Sequence, residues 1–454
     1  MAAIDDCTLS YSIVKFYVTR TFKRFYVKFI VLGKENIPRK GPVIFGVNHT
    51  SALMDALVLL TIVPFRLPIV FLARSDVFGN KLAAKGLRFT KILPAFRIRD
   101  GISNLGKNED TFNQCVEILE HGNAVGLMPE GGQVMERRVR SLVKGLFRIA
   151  FMSQEKIGNA ENVQLIPVGL DYGDFVNPGS HLIVNVGKPI AVSDYMARYE
   201  ENPAQGLNEI RADFKQALKD LTVDFATETH YKCFEIATEV ATPAMLDMLK
   251  LQNNTVSRFT AQQQIAKKLV ETEKSVYSKI DELETCTTEF IDCIQKTNLP
   301  HRIFEKKPAS FPKLILQTLL LLATLPLFVI GFIFSGPAFY ASQGIRKFMK
   351  IKQDMFFSSV HYAAGVLITF PVFYILNTVL FACLVPVAWW WSIVLFFGQF
   401  WVGQFAFLWY QKFKGYASQI SYRSFVRKNS TLLKQIQQLR KRIVNIVLSE
   451  DNKK

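Results

Sequence analysis

The chain is short of acid, short of cysteine and, in its last third, short of charge of either sign. Only 38 aspartates and glutamates stand against 55 lysines and arginines, which leaves a formal net charge of +17 over 454 residues. That excess excludes an acidic, self-solvating chain and points to an anionic partner: nucleic acid, an anionic bilayer surface or a phosphorylated substrate. Nucleic acid is not expected, because no nucleic-acid motif is present and the aromatic residues sit inside long apolar runs where they cannot stack on bases. The six cysteines are Cys7, Cys115, Cys233, Cys286, Cys293 and Cys383, and only Cys286 and Cys293 are neighbours in sequence. Such spacing supports neither a zinc site nor a disulfide framework, so reduced thiols in the cytoplasm are expected. A basic segment leading to a cleavable apolar core is also missing from MAAIDDCTLSYSIV, where acids come first, so no secretory signal is expected. Residues 314–334 and 356–410 contain no Lys, Arg, Asp or Glu. Thr369, Asn377, Thr378, Gln399 and Gln404 lend some polarity to the second of these, but no acid, lysine or arginine lies within it, so a transporter with a polar pathway there is poorly supported.

Apolar residues are plentiful, at 49% of the chain, and they fall into distinct patterns. Residues 1–32 interleave Phe, Tyr, Val and Ile with Lys15, Arg20, Lys23, Arg24 and Lys28. This suits an amphipathic helix lying on a membrane surface with its basic side chains among lipid phosphates; the alternative is a helix that caps the domain's own core. Residues 33–192 alternate short apolar runs with helical stretches, the mark of an α/β domain. Strands are predicted at 43–47, 69–72, 92–95, 124–128, 164–171 and 182–186, and helices at 52–61, 81–88, 108–120 and 143–154. The strands are nearly continuous in apolar character, which implies burial on both faces. Residues 193–310 turn polar and helical, with no role legible.

Residues 311–411 form a membrane region. A hairpin of two spans is expected at 357–384 and 387–410, with Trp389, Trp390, Trp391, Trp401 and Trp409 as interfacial anchors. The stretch 314–336 is long enough to span, but a full crossing would place Arg346, Lys347, Lys350 and Lys352 outside, against the positive-inside tendency. A re-entrant segment broken near Pro326 is therefore expected in preference to a third span. The tail, 412–454, reads as a polar segment on the cytoplasmic side, and the same charge argument places the catalytic domain there.

Four segments of the α/β domain carry residues suited to chemistry. In GPVIFGVNHTSALMDALVLL a buried strand runs into His49, and a helix containing Asp55 follows. The end of a strand is where α/β sheets place their sites. Six positions on one ideal helix amount to about 600°, which leaves the two side chains about 120° apart. Contact therefore requires His49 to lie in the turn ahead of the helix, or a one-residue bulge within it. If they meet, the carboxylate holds one imidazole nitrogen and the other can take a proton from an attacking hydroxyl. Taken alone, a satisfied structural histidine is the better reading of such a pair. In ILPAFRIRDG, Arg97 and Arg99 share one face of an extended segment, an arrangement that suits a phosphate or a surface strand end. In GLMPEGGQVMERRVRSLVKGLFRIAF, Glu130 precedes Gly131 and Gly132, which permit close backbone approach to a ligand. Arg137, Arg138, Arg140, Lys144 and Arg148 follow as the densest basic cluster of the domain, a counter-charge for a phosphate or for anionic lipid. In VQLIPVGLDYGDF, Pro167 inside a strand implies an edge or a bulge.

Taken in order, NHTSALMD, ILPAFR, LMPEGG and LIPVGL, with GKENIPRKGPVIFGVNH ahead of them, resemble the four motifs of the phospholipid and glycerol acyltransferase family. The resemblance covers about residues 33–192. It implies His49 as general base with Asp55 as its partner, and Arg97 as an acceptor-binding arginine. Glu130 and Gly131 match the acceptor site of the third motif, while Pro167 matches the fourth motif, linked to the acyl donor. It also implies a mixed sheet flanked by helices and a membrane-bound enzyme that transfers a fatty acyl group from acyl-CoA or acyl carrier protein, with no metal or redox cofactor. Two departures stand out: five residues rather than four lie between His49 and Asp55, and Gly132-Gln133 replaces the usual pair after Glu-Gly. The phosphate site is thus expected among Arg97, Arg99, Glu130, Gly131, Gly132, Arg137, Arg138, Arg140 and Lys144. The departures resemble a subgroup of glycerol-3-phosphate acyltransferases, so that acceptor is favoured. Lysophosphatidate or another lysolipid is the alternative, and a non-catalytic membrane scaffold or lipid transporter is the alternative from another class.

Overall fold

A computed structural model of the chain describes residues 4–96, 106–351, 357–386 and 388–449. They form two compact units, Met1–Asp224 with Gln353–Ser359, and Phe225–Lys352 with Val360–Lys454. In chain order the first unit contains α1 (Leu9–Phe25), β1 (Lys28–Leu32), β2 (Val43–Val47), α2 (Leu53–Ile62), β3 (Ile69–Arg74), α3 (Lys81–Phe89) and β4 (Ile92–Ala95). It continues with α4 (Lys107–Glu120), β5 (Ala124–Leu127), α5 (Gly145–Ile157), β6 (Gln164–Tyr172), β7 (His181–Val186), β8 (Ile190–Ala191), α6 (Met196–Glu201) and α7 (Pro203–Leu221).

The strands make one mixed sheet in the order β1-β7-β6-β2-β5-β3-β4, with β8 added to β6. Neighbours run parallel except where β6 meets β7 and β8. Every residue of β2, VIFGV, is buried, as expected of a central strand covered by helices on both faces. Ile44, Val125, Leu165, Phe147, Phe151 and Phe214 build the core on one face. Gly46 is a requirement of that packing: a Cβ there would come within 2.4 Å of the Phe214 ring.

The sheet unit is larger than the 33–192 domain read from the sequence. At its start, the amphipathic pattern of residues 11–32 does not stay helical. α1 ends at Phe25, and KFIVL forms edge strand β1, pairing Phe29 with Leu182 of β7. The segment fits either period, and a free edge on β7 decides it. At its end, α7 lays Leu207, Ile210, Phe214 and Leu218 into the core, so residues expected in a separate helical region complete the sheet's covering. Pro167 does not sit on an edge strand, because β6 lies between β2 and β7. Its carbonyl accepts from Gly187 N–H at 2.9 Å, and on that side β6 pairs with β7 only from Val168 onward and with β8 only up to Leu165. Proline thus occupies an interruption where no ladder donor is needed.

The second unit contains α8 (Tyr231–Met248), α9 (Thr255–Ser275), α10 (Tyr277–Gln295), α11 (Phe311–Phe348), the end of α12 (Phe357–Val360), a π-helix (His361–Thr369), α13 (Phe370–Leu384), α14 (Trp390–Lys428) and α15 (Ser430–Leu448). Helices α8, α9, α10 and α15 pack together over Phe234, Ile265, Phe290, Ile436 and Ile443. The residues expected as a polar tail form the end of α14, which runs to Lys428, and α15, which buries one apolar stripe. Three helices are long and apolar enough to cross a membrane, Phe311–Phe348, Ser358–Leu384 and Trp390–Lys428. The expected re-entrant break near Pro326 is not found, since α11 is continuous through Pro326 and Pro337. At 38 residues it is about 57 Å long, more than a hydrocarbon core requires, and a proline within a long apolar helix costs one backbone bond without ending it. α14 lies antiparallel to α11: Trp409 Nε1 donates to Thr324 Oγ1 at 3.0 Å, Thr318 meets Tyr416, and Gly331 abuts Val402.

Candidate functional site

The loop between β2 and α2 is where the sheet delivers chemistry. His49 lies outside the helix, two residues beyond β2, and α2 starts only at Leu53. Between them Ala52 takes φ 44° and ψ −117°, a conformation an L-residue adopts at a cost of about 1–3 kcal/mol. That turn accommodates the fifth intervening residue and lets the two side chains meet, with His49 Nδ1 2.8 Å from Asp55 Oδ2. The same oxygen accepts the backbone N–H of Thr50 at 2.9 Å and of Ser51 at 2.8 Å, while Oδ1 accepts the Tyr172 hydroxyl at 2.7 Å. Asp55 is completely buried and the His49 side chain is 20% exposed, so the imidazole is the part of the pair that solvent or a substrate can reach.

Glu130 stands behind this loop. Its Oε1 accepts His49 N–H at 3.4 Å, its Oε2 accepts Arg140 Nε at 2.8 Å, and Arg140 also donates to the Gly132 carbonyl. Burial raises the Glu130 carboxyl above its ordinary range, and Arg140 and the His49 N–H offset this only in part. Gly131 has φ 67°, a left-handed conformation that glycine adopts without strain. Val134 N–H donates to the His49 carbonyl at 3.3 Å, so the turn after Glu130 and the histidine loop are tied together directly.

The arginines diverge in role. Arg137 Nε donates to Asp171 Oδ1 at 3.0 Å, and its terminal nitrogen reaches the Tyr172 carbonyl. Burial works to raise the Asp171 carboxyl, but Arg137 and the His181 ring outweigh it and hold it below the usual value. Arg138 pairs with Glu136 at 3.3 Å. Lys144 caps the start of α5 and is exposed. A small cavity is lined by Asn48, Thr50, Arg137, Arg138, Asp171 and Thr222, among others; His49 is not part of its wall. Thr50 Oγ1, buried beside that cavity, has no hydrogen-bond partner. Arg97 and Arg99 lie outside the described residues. Pro167 is buried in β6, paired in register with Gly46.

Several contributors are invisible in sequence. Asn48 accepts Leu170 N–H at 2.7 Å and donates to Leu170 O at 3.2 Å, clamping the end of β2 to β6. Ser358 and Ser359, from the distant segment of the same unit, meet Ser51: the two hydroxyls of Ser51 and Ser358 are 3.0 Å apart, and Ser359 donates to Ser51 O at 3.2 Å. Separations of 122 and more than 300 residues carry no local signal; only the Pro-x-Gly irregularity of β6 hinted that this strand served the site.

The β2 loop thus carries a hydrogen-bonded imidazole–carboxylate pair at the strand ends of a mixed sheet, an arrangement chemically able to accept a proton from a hydroxyl. The Acyltransferase family model matches residues 28–171. A chloroplastic 1-acyl-sn-glycerol-3-phosphate acyltransferase of Arabidopsis thaliana is 27% identical over 177 residues, 38% of this chain and 45% of that protein. A 1-acyl-sn-glycerol-3-phosphate acyltransferase of Borreliella burgdorferi is 29% identical over 131 residues, 29% of this chain and 49% of that protein. The matches therefore span about half the length of these relatives. The crystal structure of the 1-acyl-sn-glycerophosphate acyltransferase PlsC from Thermotoga maritima aligns over 44% of this chain and 80% of that one, at 20% identity and a TM-score of 0.31. The match over residues 28–171 and the two relatives support the resemblance of the α/β part of the chain to the phospholipid and glycerol acyltransferase family.

Proposed function

We propose that the protein is a membrane-bound O-acyltransferase that moves a fatty acyl group from a thioester, acyl-CoA or acyl carrier protein, to a hydroxyl of a glycerol phosphate. The observation that carries this reading is the 2.8 Å contact between partly exposed His49 and buried Asp55 within a matched acyltransferase segment. With Nδ1 held by the carboxylate, Nε2 is the nitrogen that takes the acceptor's proton as its oxygen attacks the thioester carbonyl. The thiolate leaves with a proton returned by the imidazole. Backbone N–H groups around Gly131 and Gly132 stabilise the oxyanion, and cationic side chains of the Arg97–Arg99 and Arg138–Lys144 segments hold the acceptor's phosphate. Glycerol-3-phosphate is the favoured acceptor on the five-residue spacing of the first motif; lysophosphatidate is the alternative, favoured by the names of the two curated relatives. Three long apolar helices support integral membrane attachment, and the basic residues flanking them support a catalytic unit facing the cytoplasm.

The test is acyl transfer by the purified full chain with labelled acyl-CoA, offering glycerol-3-phosphate and lysophosphatidate in parallel. His49→Ala and Asp55→Ala are expected to lose turnover by about 100-fold or more while the protein still folds and inserts. Wild-type rates in His49→Ala would reject the assignment, and a product from only one acceptor would identify the substrate.

A further inference from the structure

We infer that Tyr172 is a positioning residue of the site, the third member of a His49–Asp55–Tyr172 relay that sets the basicity of His49. The inference rests on the acyl-transfer reading only for its kinetic consequence; the relay itself stands on geometry.

The two oxygens of Asp55 are treated unequally. Oδ2 receives three donors, His49 Nδ1 and the N–H groups of Thr50 and Ser51, all within 2.9 Å. Oδ1 receives one among the described residues, the Tyr172 hydroxyl at 2.7 Å. The carboxylate is fully buried, so an oxygen without a donor there is left bare in a medium that does not solvate it. Tyr172 is itself 1% exposed and closes β6 directly beside Asp171, where Leu182 of β7 pairs with it. Its ring packs against Tyr26 and Phe175, so the hydroxyl has one place to point. Burial raises the phenol well above its ordinary value, and the Asp55 charge adds to this, so it remains a donor across the working pH range. The other ionisable group facing the pair is Glu130, which Arg140 holds from behind; Tyr26 lies against Tyr172 from α1's end of the unit.

A carboxylate whose charge is shared among four donors pulls less strongly on the imidazolium it faces. Tyr172 therefore tempers the pair: it draws charge onto Oδ1, away from the oxygen that holds His49. Without it, charge collects on Oδ2, and the carboxylate pulls harder on the His49 ring it faces.

The experiment compares wild type with Tyr172→Phe in the full chain reconstituted in detergent. Carbethoxylation of His49 by diethyl pyrocarbonate, read by mass spectrometry across pH, reports the neutral imidazole without requiring turnover. Its midpoint is expected to rise by about half a pH unit. The acid limb of acyl transfer from acyl-CoA should move with it, so that on that limb kcat falls up to about threefold with both KM values within about twofold. An unmoved midpoint overturns the inference, even if activity falls. Should Tyr172→Phe not fold, 3-fluorotyrosine at position 172, a stronger donor, is expected to move the midpoint to lower pH, and no movement there equally overturns it. A shifted midpoint in a protein that acylates neither acceptor would leave the relay standing and reject the acyl-transfer reading. Turnover with an unmoved midpoint would do the reverse.

Discussion

His49 and Asp55 illustrate how a residue acquires a role from its neighbours' backbone. The carboxylate is oriented by two loop N–H groups before any side chain takes part, and the turn at Ala52 supplies the geometry. Arg137 illustrates the converse. It belongs to the basic cluster expected to bind phosphate, yet its guanidinium holds the buried Asp171, whose carboxyl lies below its ordinary value because Arg137 and His181 outweigh the effect of burial. For a carboxylate with a lowered folded-state pKa, the stabilisation is present in full above the unfolded-state value and is lost as pH falls through the folded one. Arg137→Gln strands that charge and is expected to cost about 3–5 kcal/mol near neutrality. Thermal midpoints measured against pH should show the gap between variant and wild type closing in acid, once Asp171 is protonated in both. A gap constant with pH would mean that Arg137 stabilises by packing alone.

Elements change meaning once packed. α1 packs one face on the core of its own unit and leaves an apolar edge uncovered. Tyr11, Lys15, Val18 and Phe22 turn inward while Leu9, Ile13 and Phe16 stay exposed. Lys15 is thus not among lipid phosphates: its ammonium donates to the carbonyls of Phe65 and Leu67, and burial lowers it to about 8. α7 is the clearer case, because its polar composition suits a linker while four of its residues complete the sheet's core. Phe214 occupies the space that Gly46 leaves on the strand bearing the site. Phe214→Ala is expected to destabilise the first unit by about 3–5 kcal/mol, read as a lowered midpoint of chemical unfolding followed by a probe in that unit. A change below about 1 kcal/mol would place α7 outside the cooperative core.

At the scale of the whole chain, the membrane segment makes a topological statement. α11 and α14 run antiparallel along most of their length, so residues just before α11 and just after α14 lie at the same end of the helical unit. Single cysteines in a cysteine-free background at Lys307 and Asn429 are expected to react with an impermeant maleimide from the same face of sealed vesicles, and Met349→Cys from the other. Labelling of the first two from opposite faces would contradict the antiparallel pair. The antiparallel pair gathers Lys306, Lys307, Lys313, Arg423, Arg427 and Lys428 at one end of α11 and α14, against Arg346, Lys347 and Lys350 at the other.

What the sequence determined by itself was whatever depends on short range. The central strands, the helix after the site loop, the apolar helices of spanning length and the order of four motifs are all written in local periodicity and composition, because each is set by a few consecutive residues choosing between water and an apolar surrounding. Tertiary structure alone decided the rest: β1 as a strand, Pro167 at a break in its partner, α7 as core, α11 unbroken at Pro326, and Tyr172 as the partner of Asp55. Each depends on which surface or hydrogen-bond donor arrives from more than a hundred residues away or from across the sheet, and a one-dimensional pattern holds no record of that arrival.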